Sequence, residues 1–275
     1  MLKMDERLRT ALESWDDGPY MTFLRPTVTA LIEAAGIHEG MTVLDAGTGF
    51  GDPALEIAEA VGPTGKVVGI DHDDLSLQIA RSRANDRGLK NVEFRKMEVT
   101  EISLDVDSFD AAVSRNVVVY FGDPVGFLGQ LLRVTKSGGR VAAATWTSGD
   151  RNPLMTSAFQ ALRRHAPPEQ PQGGQQEGNR VDTQKPELLE EALRRAGFVD
   201  TVHGVAELNF TGTEGDAQTY WEQRRAGSPA SQRVLERMSE EQRAAAEEDV
   251  VKTTRRLIAK GEATGELGWA AGRKP

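Results

Sequence analysis

Between residues 38 and 146, short apolar or β-branched runs alternate with stretches of helical period, a pattern that few folds accept. Met41 to Leu44, Lys66 to Ile70, Val92 to Lys96, Phe109 to Ser114 and Arg140 to Trp146 are bounded by Gly, Asp or Asn and read as buried strands. Pro53 to Val61, Leu75 to Asp86 and Pro124 to Val134 lie between them. In the last of these, Phe127, Leu131 and Val134 recur at helical spacing. Strand-helix-strand repetition of this kind builds right-handed βαβ units, so a parallel sheet with helices on both faces is predicted. All-β and all-helical folds do not suit it.

The flanks differ in pattern. Met1 to Trp15 and Pro26 to Ala35 read as two helices joined by Asp16 to Arg25, where Gly18-Pro19 makes a break. Ala166 to Asn179 is rich in Pro, Gln and Gly, has nothing to bury, and reads as a mobile loop. Beyond it come a helix at Pro186 to Ala196 stopped by Gly197, a strand at Thr201 to Phe210, helices at Glu214 to Arg225 and Ser231 to Ala259, and a final strand at Gly265 to Gly272. Nothing demands a second domain. The expectation is one domain over 1–275: a helical cap (1–37), a cofactor-binding core (38–146), a lid or insertion (147–185), and C-terminal helices with the last two strands (186–275).

Charge and composition narrow the partners. Lys and Arg number 33 against 42 Asp and Glu, a net charge of −9, so a nucleic-acid duplex or an anionic bilayer is repelled on average. The absence of cysteine excludes disulfides, thiolate metal sites and a cysteine nucleophile. No apolar run reaches the roughly 18 residues of a membrane span, and charges interrupt the first eleven residues, so no secretory segment is read there. A cytoplasmic protein acting on a small molecule is expected, with neither nucleic acid nor membrane as partner. No cluster of His and carboxylates suggests a metal. Nothing specifies an oligomeric state.

The most informative stretch is VLDAGTGFGDPA, Val43 to Ala54. A strand ends at Asp45, the chain turns through Gly47, Thr48, Gly49, Phe50 and Gly51, and Pro53 suits the first turn of the next helix. About 20 residues on, the second strand closes with Asp71, placed to accept two hydrogen bonds from vicinal ribose hydroxyls. Such a turn serves dinucleotides as well as other nucleosides. Here Asp45 opens it and Asp52 closes it, and two carboxylates oppose a diphosphate while favouring an ammonium beside a sulfonium cation. The ligand that fits is S-adenosyl-L-methionine.

With these residues the chain resembles the class I S-adenosylmethionine-dependent methyltransferases, in particular the group like the ubiquinone/menaquinone C-methyltransferases. Asp45, Gly47, Gly49 and Gly51 carry the glycine motif and Asp71 the ribose acid. NVEFRKMEV, SFDAAVSRNVVVYFGDP and LLRVTKSGGRVAAATW match the family's third to fifth strand regions. ELLEEALRRAGFVDTV and GWAAGRKP match the sixth and seventh more thinly. The resemblance implies a Rossmann-like doubly wound α/β fold, with a mostly parallel seven-stranded sheet, N-terminal helices and a helical C-terminal insertion or lid. It implies that Glu98 reaches the adenine amino group, although Met97-Glu98 stands where the family commonly has Gly-Asp. Ser114 falls in the fourth-strand motif. Tyr20 is placed as a tyrosine over the donor's amino-acid end, and His72 follows the ribose acid.

For the acceptor, Arg115 and Asn116 at the tip of the fourth strand and Trp146 at the end of the fifth are candidates, with Arg180, Trp221, Arg224 and Arg225 further on. His165, beside the mobile loop, is the candidate catalytic base. The function expected is methyl transfer to a carbon, oxygen or nitrogen of a small organic acceptor, governed by positioning and desolvation. Two other readings share the motif: an adenosyl-binding protein that transfers no methyl group, and an NAD-dependent oxidoreductase.

Overall fold

The computed structural model describes residues 18–168 and 182–275. The helix expected at Met1 to Trp15, Arg180, and most of the loop expected at Ala166 to Asn179 lie outside those residues. The described chain falls into two compact units. One, the sheet unit, comprises 26–147, 182–206 and 267–275; the other, the helical unit, comprises 18–25, 148–168 and 207–266.

The sheet unit carries the predicted alternation. Its elements are β1 (Thr42–Ala46), α2 (Ala54–Val61), β2 (Lys66–Asp71), α3 (Asp74–Asp86), β3 (Val92–Lys96), β4 (Phe109–Arg115), α4 (Val125–Val134), β5 (Thr135–Trp146) and α6 (Pro186–Arg195). It also holds the larger part of β6 (Val199–Asn209), the C-terminal part of β7 (Thr264–Arg273) and the end of α1 (Pro19–Ala34). The seven strands lie in the order β3-β2-β1-β4-β5-β7-β6. All pairs from β3 to β5 are parallel, and β7 runs antiparallel to β5, with Trp269 opposite Ala144.

The residues explain the layering. Successive strand side chains point to opposite faces, so Val43 and Val67 join the core with Leu31, Ile57 and Leu77, while Leu44 and Val68 join the core with Leu128, Leu131 and Leu189. Both faces are apolar, as a sheet covered on two sides requires. The winding reverses between β1 and β4, which opens a crevice outside the carboxyl ends of those two strands.

The helical unit contains α5 (Pro153–Arg164), α7 (Ala217–Ala226), α8 (Pro229–Glu236) and α9 (Glu240–Ala259), packed through Leu162, Trp221, Val234, Met238 and Val250. Two sequence expectations are corrected in the elements. Residues 19–25 are helical: α1 starts at Pro19, which suits a first helical position, and Tyr20, Met21, Phe23 and Leu24 are buried, so side-chain burial carries the helix through Pro26. The single helix expected from Ser231 to Ala259 is two, because the Ser239 hydroxyl accepts from the Gln242 amide while the Gln242 side chain accepts from the Ser239 amide, restarting the helix at Glu240. Among the described residues no helix is long and apolar enough to cross a membrane.

Candidate functional site

The glycine turn between β1 and α2 is held by its own backbone. The Gly47 and Thr48 amides both donate to the Ile70 carbonyl, at 2.8 and 2.9 Å, and the Gly51 amide donates to the Thr48 carbonyl at 2.9 Å. The Gly49 amide donates to Asp71 Oδ2 at 2.9 Å. Gly47, Gly49 and Gly51 all have positive φ, a region glycine enters without steric cost. At Gly47 the missing side chain also matters for space, since a Cβ there would stand 2.2 Å from Val117 Cγ2. A Cβ on Gly49 would meet nothing within 4 Å. The turn is therefore sealed on one side and open at Gly49.

Asp71 closes β2 with a largely buried side chain. Besides the Gly49 amide it accepts from the Asp73 amide at 3.0 Å, and His72 Nδ1 stands 3.2 Å away on an exposed ring. Neighbouring strand ends are tied in: the Met97 amide donates to the Asp71 carbonyl at 2.9 Å, leaving Met97 half-buried at the end of β3 and Glu98 exposed beside it.

Asp45 and Asp52 have different fates. Asp52 is gripped by Arg83 of α3, with both guanidinium contacts at 2.9 Å, and Arg83 also donates to the Phe50 carbonyl. Its charge is spent inside the protein, which corrects the expectation that both carboxylates of the turn face the ligand. Asp45 has no accessible surface and neither carboxyl oxygen has a hydrogen-bond partner. Burial pushes its pKa up to about 7, against the pull of nearby Thr48 and Arg115.

Four more residues complete the carboxyl edge. Thr48 Oγ1, Arg115 Nη1 and Asn116 Oδ1 are buried and unpartnered. Arg115 Nη2 reaches the Asp52 carbonyl at 3.4 Å. Asn116 sits at φ 61° with its amide on the Ala144 carbonyl at 2.7 Å, a conformation that turns the chain out of β4 at the switch point. Ser114, expected at the cofactor, instead donates its hydroxyl to the Ala46 carbonyl at 2.9 Å and ties β4 to β1. Buried polar groups are almost always satisfied, so five such atoms, from Asp45, Thr48, Arg115 and Asn116, mark a place built for a polar ligand.

Trp146 is half-buried at the end of β5, opposite Leu267. Two candidates belong to the helical unit. Tyr20 donates its amide to Gln223 Oε1 at 3.2 Å and sets its ring edge-on to Tyr220 at 5.8 Å. His165 ends α5 with Nε2 3.1 Å from Asp249 Oδ2, which Arg164 also holds at 2.9 Å. The residue that sequence reasoning missed is Arg83: it lies 31 positions from Asp52 in the last turn of a helix, and no local pattern announces the pair. Among the described residues no group of three His, Asp or Glu side chains is arranged to hold a metal ion.

Residues 37–210 match a family described as a methyltransferase domain. The demethylmenaquinone methyltransferase of Lactococcus lactis is 30% identical over 170 residues, covering 58% of this chain and 66% of that protein. The ubiquinone/menaquinone biosynthesis C-methyltransferase UbiE of Pseudomonas putida is 35% identical over 136 residues, covering 47% of this chain and 51% of the relative. The chain thus spans about half to two thirds of the length of these curated relatives. Among solved structures, a SAM dependent methyltransferase from Aquifex aeolicus superposes with a TM-score of 0.50 at 26% identity, over 75% of this chain and 94% of that one. The [4+2]-cyclase SpnF superposes at 0.55 with 22% identity, over 90% and 80%, a likeness of fold.

Proposed function

The chain belongs to the class I S-adenosylmethionine-dependent methyltransferases, and on that premise we propose that it transfers the methyl group of S-adenosyl-L-methionine to a small organic acceptor. One observation carries the reading: unpartnered buried polar atoms gather at the switch point while the turn amides are already spent. A diphosphate site needs amides pointing outward. Here Gly47, Thr48, Gly49 and Gly51 give theirs to the protein, whereas Asp45 keeps a carboxyl with no partner. That is an acceptor for an ammonium group and a poor seat for phosphate.

The residues take the following roles in this proposal. Asp71, already fixed by two backbone amides, accepts from the ribose hydroxyls. Asp45 holds the cationic amino-acid end, and the open face at Gly49, with Thr48 and Phe50, lets the donor approach bare backbone. Met97, Glu98 and His72 border the adenine. Ser114 positions β4 rather than touching the cofactor. Arg115, Asn116 and Trp146 face the acceptor. When bound, S-adenosyl-L-methionine supplies a methyl group on a leaving group that is already charged, so the chain need only align and desolvate. Near-attack alignment is worth about 7–11 kcal/mol, against roughly 3–5 kcal/mol for a general base.

Calorimetry tests the reading. S-adenosylhomocysteine should bind the full chain and NAD should not. Asp71→Ala should weaken S-adenosylhomocysteine by about 1.5–3 kcal/mol for each ribose hydrogen bond lost to the carboxylate. Absence of any heat with S-adenosylhomocysteine at high micromolar concentration, or tighter binding of NAD, overturns it.

A further inference from the structure

The helical unit holds a second group of unpartnered buried polar atoms, and α7 supplies it. Tyr220 and Trp221 have no accessible surface, and Arg224 has almost none. The Tyr220 hydroxyl, Trp221 Nε1 and Arg224 Nε all lack a hydrogen-bond partner. The Arg224 guanidinium lies over the Trp221 ring at 5.9 Å and makes one long contact, 3.4 Å, to Ser231 Oγ. Its neighbour Arg225 stands 3.7 Å from Glu247, but among the described residues no carboxylate meets Arg224. Around Tyr220 stand three rings edge-on or nearly so, Tyr20 at 5.8 Å, Phe23 at 6.2 Å and Phe210 at 5.3 Å.

Two physical facts bear on this arrangement. A buried guanidinium without a counter-charge is destabilising, and folds keep such a charge mainly where something else supplies the anion. Burial also drives the Tyr220 phenol well above its ordinary range, with Arg224 close enough to oppose the shift and Tyr20 close enough to add to it. The phenol is therefore a neutral donor at any physiological pH. A cation and an O–H donor on one turn of helix, bordered by aromatic rings, match a planar organic acid: charged oxygen at one end, apolar face at the other.

We propose that the helical unit binds a small aromatic organic anion, its carboxylate or phenolate oxygen on Arg224 and Tyr220 and its ring against the aromatic cluster that Tyr20 and Phe210 border. The binding does not depend on the methyltransferase reading, and the experiment separates the two.

Benzoate, 4-hydroxybenzoate and indole-3-acetate are titrated into the full chain by calorimetry, with benzamide as the uncharged control and S-adenosylhomocysteine titrated separately into the same preparations. At least one acid should bind and benzamide should not. Arg224→Met should reduce the affinity at least tenfold, and Tyr220→Phe, which keeps the ring packing, several-fold. Because among the described residues no carboxylate meets Arg224, unliganded Arg224→Met should melt at the same temperature as the parent or higher. A lower melting temperature or failure to fold would show the guanidinium to be structural and overturn the proposal. So would equal affinity of the acids for Arg224→Met, or no binding of any of the three acids. If the acids fail while S-adenosylhomocysteine binds, only the anion site falls; if S-adenosylhomocysteine fails, the methyl-transfer reading falls with it.

Discussion

Single residues in the turn separate folding from binding. A side chain at Gly47 must adopt φ 78° and would place Cβ 2.2 Å from Val117, so Gly47→Ala should lose about 2–5 kcal/mol, from the left-handed backbone and the overpacking together. Gly49→Ala meets nothing within 4 Å and should lose only the backbone part, about 1–2 kcal/mol, yet it should weaken S-adenosylhomocysteine markedly because its methyl occupies the open face. Urea unfolding and calorimetry on the two variants read the contrast; equal loss of stability would refute it. Asp45 gives a pH signature. Its folded pKa, about 7, lies above the ordinary aspartate value of 3.8, so between those values the folded carboxyl keeps a proton that the unfolded chain has released. Stability from this group is therefore fully present below about pH 4 and falls as pH rises towards 7, by an amount on the order of several kcal/mol. Asp45→Asn should flatten that fall while removing the rise in S-adenosylhomocysteine affinity expected between pH 6 and 8 as the carboxyl ionises. The placement of two of these carboxylates was legible in sequence: Asp45 and Asp71 stand at the carboxyl ends of β1 and β2. What was not legible is which of the two turn carboxylates is consumed, since that depends on Arg83 arriving from another helix.

At the scale of elements, α3 does more than cover the sheet. Its Arg83 is buried against Asp52 and the Phe50 carbonyl, so one guanidinium sets both the end of the turn and the start of α2. Removing one member of a buried pair strands the other, at about 3–5 kcal/mol. Arg83→Met should therefore be severely destabilising, and Arg83→Met with Asp52→Asn should recover much of the loss, a coupling that a double-mutant cycle in urea measures; additive losses would show that the pair does not act as a unit. Strand and helix positions in the sheet unit followed from period alone, because β-branched runs bounded by Gly and Asp have no alternative burial. The helix limits in the helical unit did not. Pro19 and Pro26 punctuate α1 without ending it, since Tyr20, Phe23 and Leu24 have their own core to enter. Ser239-Glu240-Glu241-Gln242 is a capping box written plainly in the sequence, but surrounding charge hid it within a longer helical pattern. The β7 strand, antiparallel to β5 where the pairs from β3 to β5 are all parallel, carries no local mark of its direction.

For the whole molecule, the division into two units sets how ligand binding propagates. Each has its own apolar core: the sheet unit on both faces of its strands, the helical unit around Trp221, Leu162 and Val250. Within α1, β6 and β7 the division between the units falls inside a continuous element. A ligand at 100 times its dissociation constant stabilises the state that binds it by about 2.7 kcal/mol. Asp45, Asp71 and the glycine turn all belong to the sheet unit, so S-adenosylhomocysteine should slow hydrogen exchange by about that amount at the amides that exchange only on opening of this unit, those of Val43, Leu44 and Val68 among them. The core amides of α7 and α9 should slow less, because their opening need not disturb the carboxyl ends of β1 and β2. Equal slowing in both units would mean that the shared elements weld them into one cooperative structure, with no separate opening of the helical unit. Greater slowing there than in the sheet unit would place the nucleoside outside the glycine turn altogether, and the assignment of Asp71 to the ribose would have to be abandoned.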